Sequence, residues 1–181
     1  MDVIDILVYE HTLIQQFLDN LSMAAEKLEA GERPPREFFE KAIEFARNFT
    51  DKFHHFKEEH VIFAQLAQRK DGVLDGQIDS LRHQHERGRN HIIEISDSLD
   101  GYARGNEIHT STLLENLSAY ISLLRRHIHE EEDNFYKIVK KEFSENELEG
   151  ILEVFYKEDK RTGGNTFVNS QNLAQEMDSL L

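Results

Sequence analysis

The stretch Phe53-His54-His55-Phe56-Lys57-Glu58-Glu59-His60-Val61-Ile62-Phe63 has a counterpart 72 positions further along the chain. The counterpart is Arg126-His127-Ile128-His129-Glu130-Glu131-Glu132-Asp133-Asn134-Phe135. The shift places His55 on His127 and Glu59 on Glu131. Each copy therefore carries a histidine and a carboxylate four residues apart, a spacing that puts both side chains on one face of an α-helix.

Each copy also contains a rival pair with the same spacing, and the helical period decides between the two. At about 100° per residue, one pair in each copy falls in line with apolar residues, whereas the other does not. The pairs predicted to face inward are His55/Glu59 and His127/Glu131. The pairs predicted to face solvent are His54/Glu58 and His129/Asp133.

Two further histidines lie in the middle of apolar series with a helical period. His11 falls among Ile4, Leu7, Ile14, Leu18 and Leu21, and His85 falls among Ile78, Leu81, Ile92 and Ile95. His11 and His85 are 74 residues apart, close to the 72-residue offset between the two histidine–carboxylate stretches. The similar offsets indicate a duplicated helical hairpin. The other histidines are predicted to lie on the surface: His54, His60, His83, His91, His109 and His129.

The composition excludes several classes of protein. There is no cysteine, which excludes disulfides, iron–sulfur clusters and thiolate zinc sites, so a metal must be held by nitrogen and oxygen. The formal net charge is −14, from 21 basic and 35 acidic residues, and it repels nucleic acids and anionic membranes. No signal peptide or run of 18 apolar residues is present, so a soluble, cytoplasmic protein is expected.

The periodicity and the break residues predict an all-α protein with four long helices. They cover about 2–30, 35–70, 73–99 and 108–141, with breaks at Gly31, at Asp71-Gly72 and over 100–106. Helices of this length with short loops are typical of an up-down-up-down four-helix bundle, here residues 1–142. Residues 143–181 are predicted to form a helical extension packed on the bundle, opened by a capping box at Ser144–Glu147. A lid or a homodimer contact is the alternative for this extension.

Six polar residues at core positions need compensation, since an unpaired buried carboxylate costs several kcal/mol. The six are His11, His55, Glu59, His85, His127 and Glu131. A structural hydrogen-bond network is one explanation. A metal centre is the other: two glutamates bridging two cations, with two histidines per metal, leave coordination positions open. Carboxylate sites in bundle cores typically hold two iron or two manganese ions, and zinc would accept the same ligands.

The set His11, His55-x-x-x-Glu59, His85 and His127-x-x-x-Glu131 resembles the ligand pattern of hemerythrin-like (HHE cation-binding) proteins, over roughly residues 1–142. The resemblance implies a four-helix bundle around a non-haem di-iron centre. Oxygen-carrying members have a fifth histidine, four residues from another on the third helix, where this chain has Leu81 and Arg89. A more symmetrical and more open site is therefore expected, with solvent, Glu58 or Tyr120 as a further ligand or hydrogen-bond partner. Tyr120 is also compatible with plain core packing.

The resemblance favours a di-iron protein that binds or reacts with dioxygen or its reduced products, in sensing, scavenging or transport. The alternatives are a di-iron peroxidase or catalase-like scavenger, and a non-catalytic iron-handling protein, so whether the chain is an enzyme stays open. The expected partner is a small molecule, namely dioxygen, peroxide or nitric oxide. Neither nucleic acid nor a membrane is expected, and a homodimer is compatible with the sequence.

Overall fold

The computed structural model describes residues 1–69 and 72–181, and over those ranges the chain forms six helices and no strand. The helices are α1 (Val3–Glu29), α2 (36–67), α3 (Asp75–Ala103), α4 (107–142), α5 (Glu145–Arg161) and α6 (Thr166–Asp178). The predicted all-α class is confirmed. The predicted end of the second helix at Lys70 and the break at Asp71 lie outside the described residues.

Local sequence signals account for several helix ends. Asp2 and Asp5 form a capping box at the start of α1, each side chain accepting from the other residue's backbone N–H. Gly31 follows α1 with φ of +79°, a conformation that is strained for residues with a Cβ. Asn106 caps α4, and the predicted capping box of Ser144 and Glu147 opens α5.

Two of the long helices change their hydrogen-bonding pattern in the middle. In α2, π-helical bonding covers Ala46–His55 and Lys57–Phe63, with α-helical bonding before and after. In α4, it covers only Glu131–Phe135. A π-helix bonds residue i to i+5 and holds more residues per turn than an α-helix, so side-chain directions no longer follow the 3.6 period. Both stretches coincide with the histidine–carboxylate repeats.

Apolar residues form two clusters, one at each end of the bundle. One contains Phe17, Phe45 and Leu117, and the other contains Leu7, Phe63, Leu81 and Phe135. Along each of the four long helices, the chain passes from one cluster to the other through a short polar stretch. The helices therefore bring their buried histidines to the middle of the bundle, between two apolar layers.

The two C-terminal helices complete these clusters. From α5, Ile151 and Phe155 pack into the cluster around Phe63, and from α6, Ala174 and Met177 pack into the other. Both helices thus pack on the bundle. The division of domains at residue 142 and the homodimer stay predictions. Over the described ranges, no helix has both the length and the apolar character that crossing a membrane requires.

Candidate metal centre

Seven buried side chains converge in the middle of the bundle, and their nitrogen and oxygen atoms form two groups. One group is His55, Glu58, His85 and His127; the other is His11, His54, Glu58 and Glu131. Within each group, the candidate ligand atoms lie within 4.8 Å of one another. Glu58 belongs to both groups, so its carboxylate lies between them.

Glu131 also spans the two groups. Its Oε2 lies 3.3 Å from His11 Nε2, and its Oε1 lies 3.2 Å from His127 Nε2. Glu58 Oε2 lies 3.5 Å from His85 Nε2 and 3.8 Å from His54 Nε2. Each carboxylate therefore faces histidines of both groups, which is the arrangement that a carboxylate bridging two cations requires.

The orientation of four imidazoles is fixed from outside the groups, because each Nδ1 has an oxygen acceptor. The bonds are His11 to Glu132 (2.8 Å), His54 to Glu10 (2.9 Å), His85 to Glu59 (2.6 Å) and His127 to Gln84 (3.0 Å). Carboxylate and amide oxygens accept, so each Nδ1 carries the hydrogen. Each Nε2 then presents a lone pair to the centre, as metal-ligating histidines do when a carboxylate or carbonyl supports them.

The two Nε2 atoms that lie closest together have no hydrogen between them to form a hydrogen bond. His85 Nε2 and His127 Nε2 are 3.0 Å apart, and both rings already carry their hydrogen on Nδ1. Burial lowers the pKa of both rings well below its usual value, and the nearby His55 lowers it further, so protonating either ring is unfavourable. Two facing lone pairs repel each other unless a cation lies between them.

Several other atoms in the centre have no hydrogen-bond partner among the described residues. They are buried and comprise both ring nitrogens of His55, Nε2 of His54, Oε2 of Glu58 and both oxygens of Glu131. Leaving a buried polar group unsatisfied costs about 1–3 kcal/mol each. A metal would satisfy these atoms together, so the residues present fit a metal centre held by nitrogen and oxygen.

The two carboxylates lie in an environment that disfavours their charge. Burial raises the pKa of Glu58 to about 8. Burial also raises the pKa of Glu131 well above its usual value, and the charge of Glu58 adds to the effect. Bound cations reverse this balance, because they favour the ionised carboxylate.

Tyr136 is part of the centre, although the sequence analysis did not identify it. Its hydroxyl donates to Glu58 Oε1 at 2.7 Å and lies 3.3 Å from His11 Nε2. It follows Glu131 by five residues, a spacing that shares a face in a π-helix rather than in an α-helix. An α-helical period therefore gave no signal for it.

The predicted orientation of one pair on α2 is wrong. Glu58, which the helical period placed towards solvent, is fully buried and lies in both groups, whereas Glu59 lies in neither. The role of Glu58 as a further ligand, expected from the family resemblance, stays a prediction. Glu59 is 15% exposed and accepts from His85 Nδ1 and from Arg89 Nη2. His54, predicted on the surface, is 1% exposed. The π-helical bonding of α2 explains these errors, because the 100° step does not hold there.

The expected symmetry is also wrong, because five histidines rather than four face the centre. Three lie in one group and two in the other. The predicted residues His11, His55, His85, His127 and Glu131 all face the centre, and their role as metal ligands stays a prediction.

Tyr120 is buried but belongs to neither group. Of the other histidines, His60, His83 and His129 are exposed, whereas His91 and His109 are half-buried.

The chain is similar in sequence to several other proteins and matches one family model. The chain is 25% identical over 158 residues to the uncharacterized protein Mb2018 of Mycobacterium bovis and to the uncharacterized proteins MT2051 and Rv1995 of Mycobacterium tuberculosis. Each alignment covers 87% of this chain and 61% of the relative, so the chain spans less than two thirds of their length. No solved structure matches it. The family model of the hemerythrin HHE cation-binding domain matches residues 2–139, and the chain therefore belongs to the hemerythrin HHE cation-binding family.

Proposed function

We propose that this chain is a non-haem di-iron protein that binds or reacts with dioxygen or its reduced products. The observation that carries the proposal is the inward set of Nε2 lone pairs facing two buried carboxylates, three of whose four oxygens have no hydrogen-bond partner among the described residues. His55, His85 and His127 would hold one ion, His11 and His54 the other, and Glu58 and Glu131 both. Iron is favoured because the donors are nitrogen and oxygen in a bundle core, although manganese or zinc would also fit. When bound, two ferrous ions supply the electrons for reducing dioxygen.

The chain's own residues keep the ligands in place. Glu10, which accepts from His54 Nδ1, is paired with the buried ammonium of Lys57. Glu59, which accepts from His85 Nδ1, is paired with Arg89 at 2.8 Å. These ion pairs hold the outer carboxylates in position, so each keeps its imidazole in one tautomer and makes Nε2 a stronger donor.

Tyr136 orients the carboxylate of Glu58, and its position also supports a di-iron peroxidase as an alternative function. Its hydroxyl occupies Oε1 of Glu58, which leaves Oε2 directed at His54 and His85. The same O–H group lies inside the centre, where a general acid would be needed for peroxide reduction. A di-iron peroxidase is therefore the second candidate, and peroxide turnover by the iron-loaded protein, compared with free iron, distinguishes it.

The test is anaerobic titration of metal-free protein with ferrous iron. We expect two irons per chain, and oxygen consumption on exposure to air that differs in rate from an equal amount of free ferrous iron. His54→Ala should reduce the stoichiometry to about one, because His54 belongs to the group with only two histidines. His129→Ala is the matched control, since that side chain is 77% exposed. Saturation at one iron in the unmodified chain would contradict a di-iron centre.

A further inference from the structure

A cavity of about 340 Å³ lies where the C-terminal helices α5 and α6 pack against α1 and α2. Small-molecule sites in proteins typically have volumes of about 300–1,000 Å³. Five of the nine residues that line this cavity are aromatic: Tyr9, Phe53, Phe155, Tyr156 and Phe167. The cavity therefore has both the size and the wall of a site for a small ligand.

The aromatic wall runs from the core of the protein to its surface. Phe53 and Phe155 are buried, whereas Tyr9 and Tyr156 are 48% and 52% exposed and form the mouth. Tyr9 stacks on Phe167 of α6, with the ring centroids 4.7 Å apart, which holds one side of the mouth in place. A ligand can thus enter from solvent and lie against aromatic rings.

The buried end of the cavity already holds a cation against these rings. The Nζ atom of Lys57 lies 3.5 Å from the ring centroid of Phe53 and 5.5 Å from that of Phe155. The quadrupole of an aromatic ring attracts an ammonium group placed over its face. This ammonium is paired with the carboxylate of Glu10, so its charge is compensated within the chain.

A second carboxylate in the wall has no cation of its own. Asp159 of α5 is half-buried, and it forms no ion pair within the described part of the chain. Its charge acts on the buried end of the cavity: burial raises the pKa of Glu10 to about 7, and the charge of Asp159 adds to that rise. The formal net charge of −14 also attracts cations to the surface. The wall therefore favours a cationic ligand over an anionic one.

We propose that this cavity binds a small organic ammonium ion with an apolar body. The charged group would lie at Asp159, near the rings of Tyr9 and Tyr156, and the apolar body would lie against Phe155 and Phe167. This site goes beyond the proposed di-iron function, because its wall contains none of the residues assigned as metal ligands and its occupation needs no metal.

The experiment is titration of the whole chain, metal-free and zinc-loaded, with benzylammonium, benzyl alcohol and benzoate, which share a ring and differ in charge. Calorimetry measures the affinities, and NMR shifts of the lining residues locate the site. We expect one benzylammonium ion to bind per chain, saturably and in both forms. It should bind more tightly than benzyl alcohol, and benzoate should bind most weakly.

The first variant removes the charge of the wall. Asp159→Asn nearly preserves the side-chain shape and should weaken benzylammonium by about fivefold, the upper range for a partly exposed ion pair, while benzyl alcohol is unaffected. Glu153→Gln is the matched control, because it removes one negative charge from an exposed position of the same helix. It should leave all three affinities unchanged.

The second variant tests the aromatic mouth. Tyr9→Leu keeps an apolar side chain but removes the ring, so benzylammonium should bind about two- to fivefold more weakly, as expected for one exposed cation–π contact. Benzyl alcohol should lose less affinity. Tyr9→Phe keeps the ring and should preserve the affinity for benzylammonium.

Three results would overturn the proposal. The first is absence of saturable benzylammonium binding. The second is benzyl alcohol binding as tightly as benzylammonium, which would leave only an apolar cavity without a preference for cations. The third is equal weakening in Asp159→Asn and Glu153→Gln, which would assign the attraction to net charge rather than to the cavity. Metal content measured on the same samples keeps these results separate from the di-iron proposal.

Discussion

The two histidine–carboxylate repeats, on α2 and α4, have similar sequences but contribute to the centre in different ways. On α4, one histidine and one carboxylate four residues apart, His127 and Glu131, face the centre. On α2, two consecutive histidines face it, His54 in one group and His55 in the other, with Glu58 shared between them. A duplicated sequence therefore produced an asymmetrical centre.

The helical geometry explains the difference. The π-helical bonding of α2 extends over most of residues 46–63, whereas in α4 it is confined to Glu131–Phe135. Consecutive residues of a π-helix are separated by a smaller angle than in an α-helix, so two neighbours can both face the core. The same shift turns Glu59 away from the centre, where it supports His85 instead. One local change thus exchanged the roles of two adjacent glutamates.

The largest expected effect comes from separating these two glutamates. Glu58→Gln preserves the side-chain volume but removes the charge shared by both groups, so we expect the stoichiometry to fall from two metals per chain to at most one. Glu59→Gln keeps the stoichiometry and weakens affinity by roughly 10–100-fold, the usual effect of losing an outer acceptor. Ferrous or zinc titration measures both. If Glu59→Gln lost the metals while Glu58→Gln kept them, the assigned orientation of α2 would be wrong.

Proton release provides a test that treats the two repeats together. Because burial raises the pKa of Glu58 to about 8, this carboxyl holds a proton at pH 7 in the metal-free chain, and burial raises the pKa of Glu131 as well. Burial lowers the pKa of the facing histidines, so these hold none. Metal binding at pH 7 should therefore release the proton of Glu58, to which any proton held by Glu131 adds. Release should decrease above pH 8, where Glu58 is already ionised, as calorimetry in buffers of different ionisation enthalpy would measure.

The stability of the metal-free chain should depend on pH for the same reason. A carboxyl whose pKa is raised in the folded state stabilises that state less as pH increases through the folded value. Between pH 7 and 8, the free energy of unfolding of the metal-free chain should therefore fall, by at most about 1.4 kcal/mol per proton and pH unit. An unchanged stability over this window, together with no proton release, would contradict a buried protonated carboxyl at Glu58.

The smallest expected effect concerns the contact between the repeats. Tyr136 follows the α4 repeat and donates to Glu58 of the α2 repeat. Tyr136→Phe removes one hydrogen bond, worth about 1 kcal/mol, so metal affinity should weaken by about fivefold with unchanged stoichiometry. Tyr156→Phe serves as the control, because that side chain is 52% exposed. Loss of a whole metal in Tyr136→Phe would instead indicate that the hydroxyl is itself a ligand.

The sequence located the residues of the centre well wherever the helix is α-helical. His11, His85 and His127 lie in α-helical segments, and all three are buried as the apolar period predicts. His54 and Glu58 were misplaced because they lie in the π-helical part of α2. Neither the composition nor the spacing of residues in the chain signals that change of pitch.

The sequence by itself therefore determined the all-α class, the repeat and the kinds of ligand atom, because apolar periodicity and residue chemistry are local properties. Only the tertiary structure decided which of two adjacent glutamates faces the centre, which acceptors orient the imidazoles, and that the histidines divide three and two. The physical reason is that these choices depend on helix pitch and on contacts between residues far apart in the chain. His11 and Glu132, for example, are 121 positions apart and meet only when α1 packs beside α4.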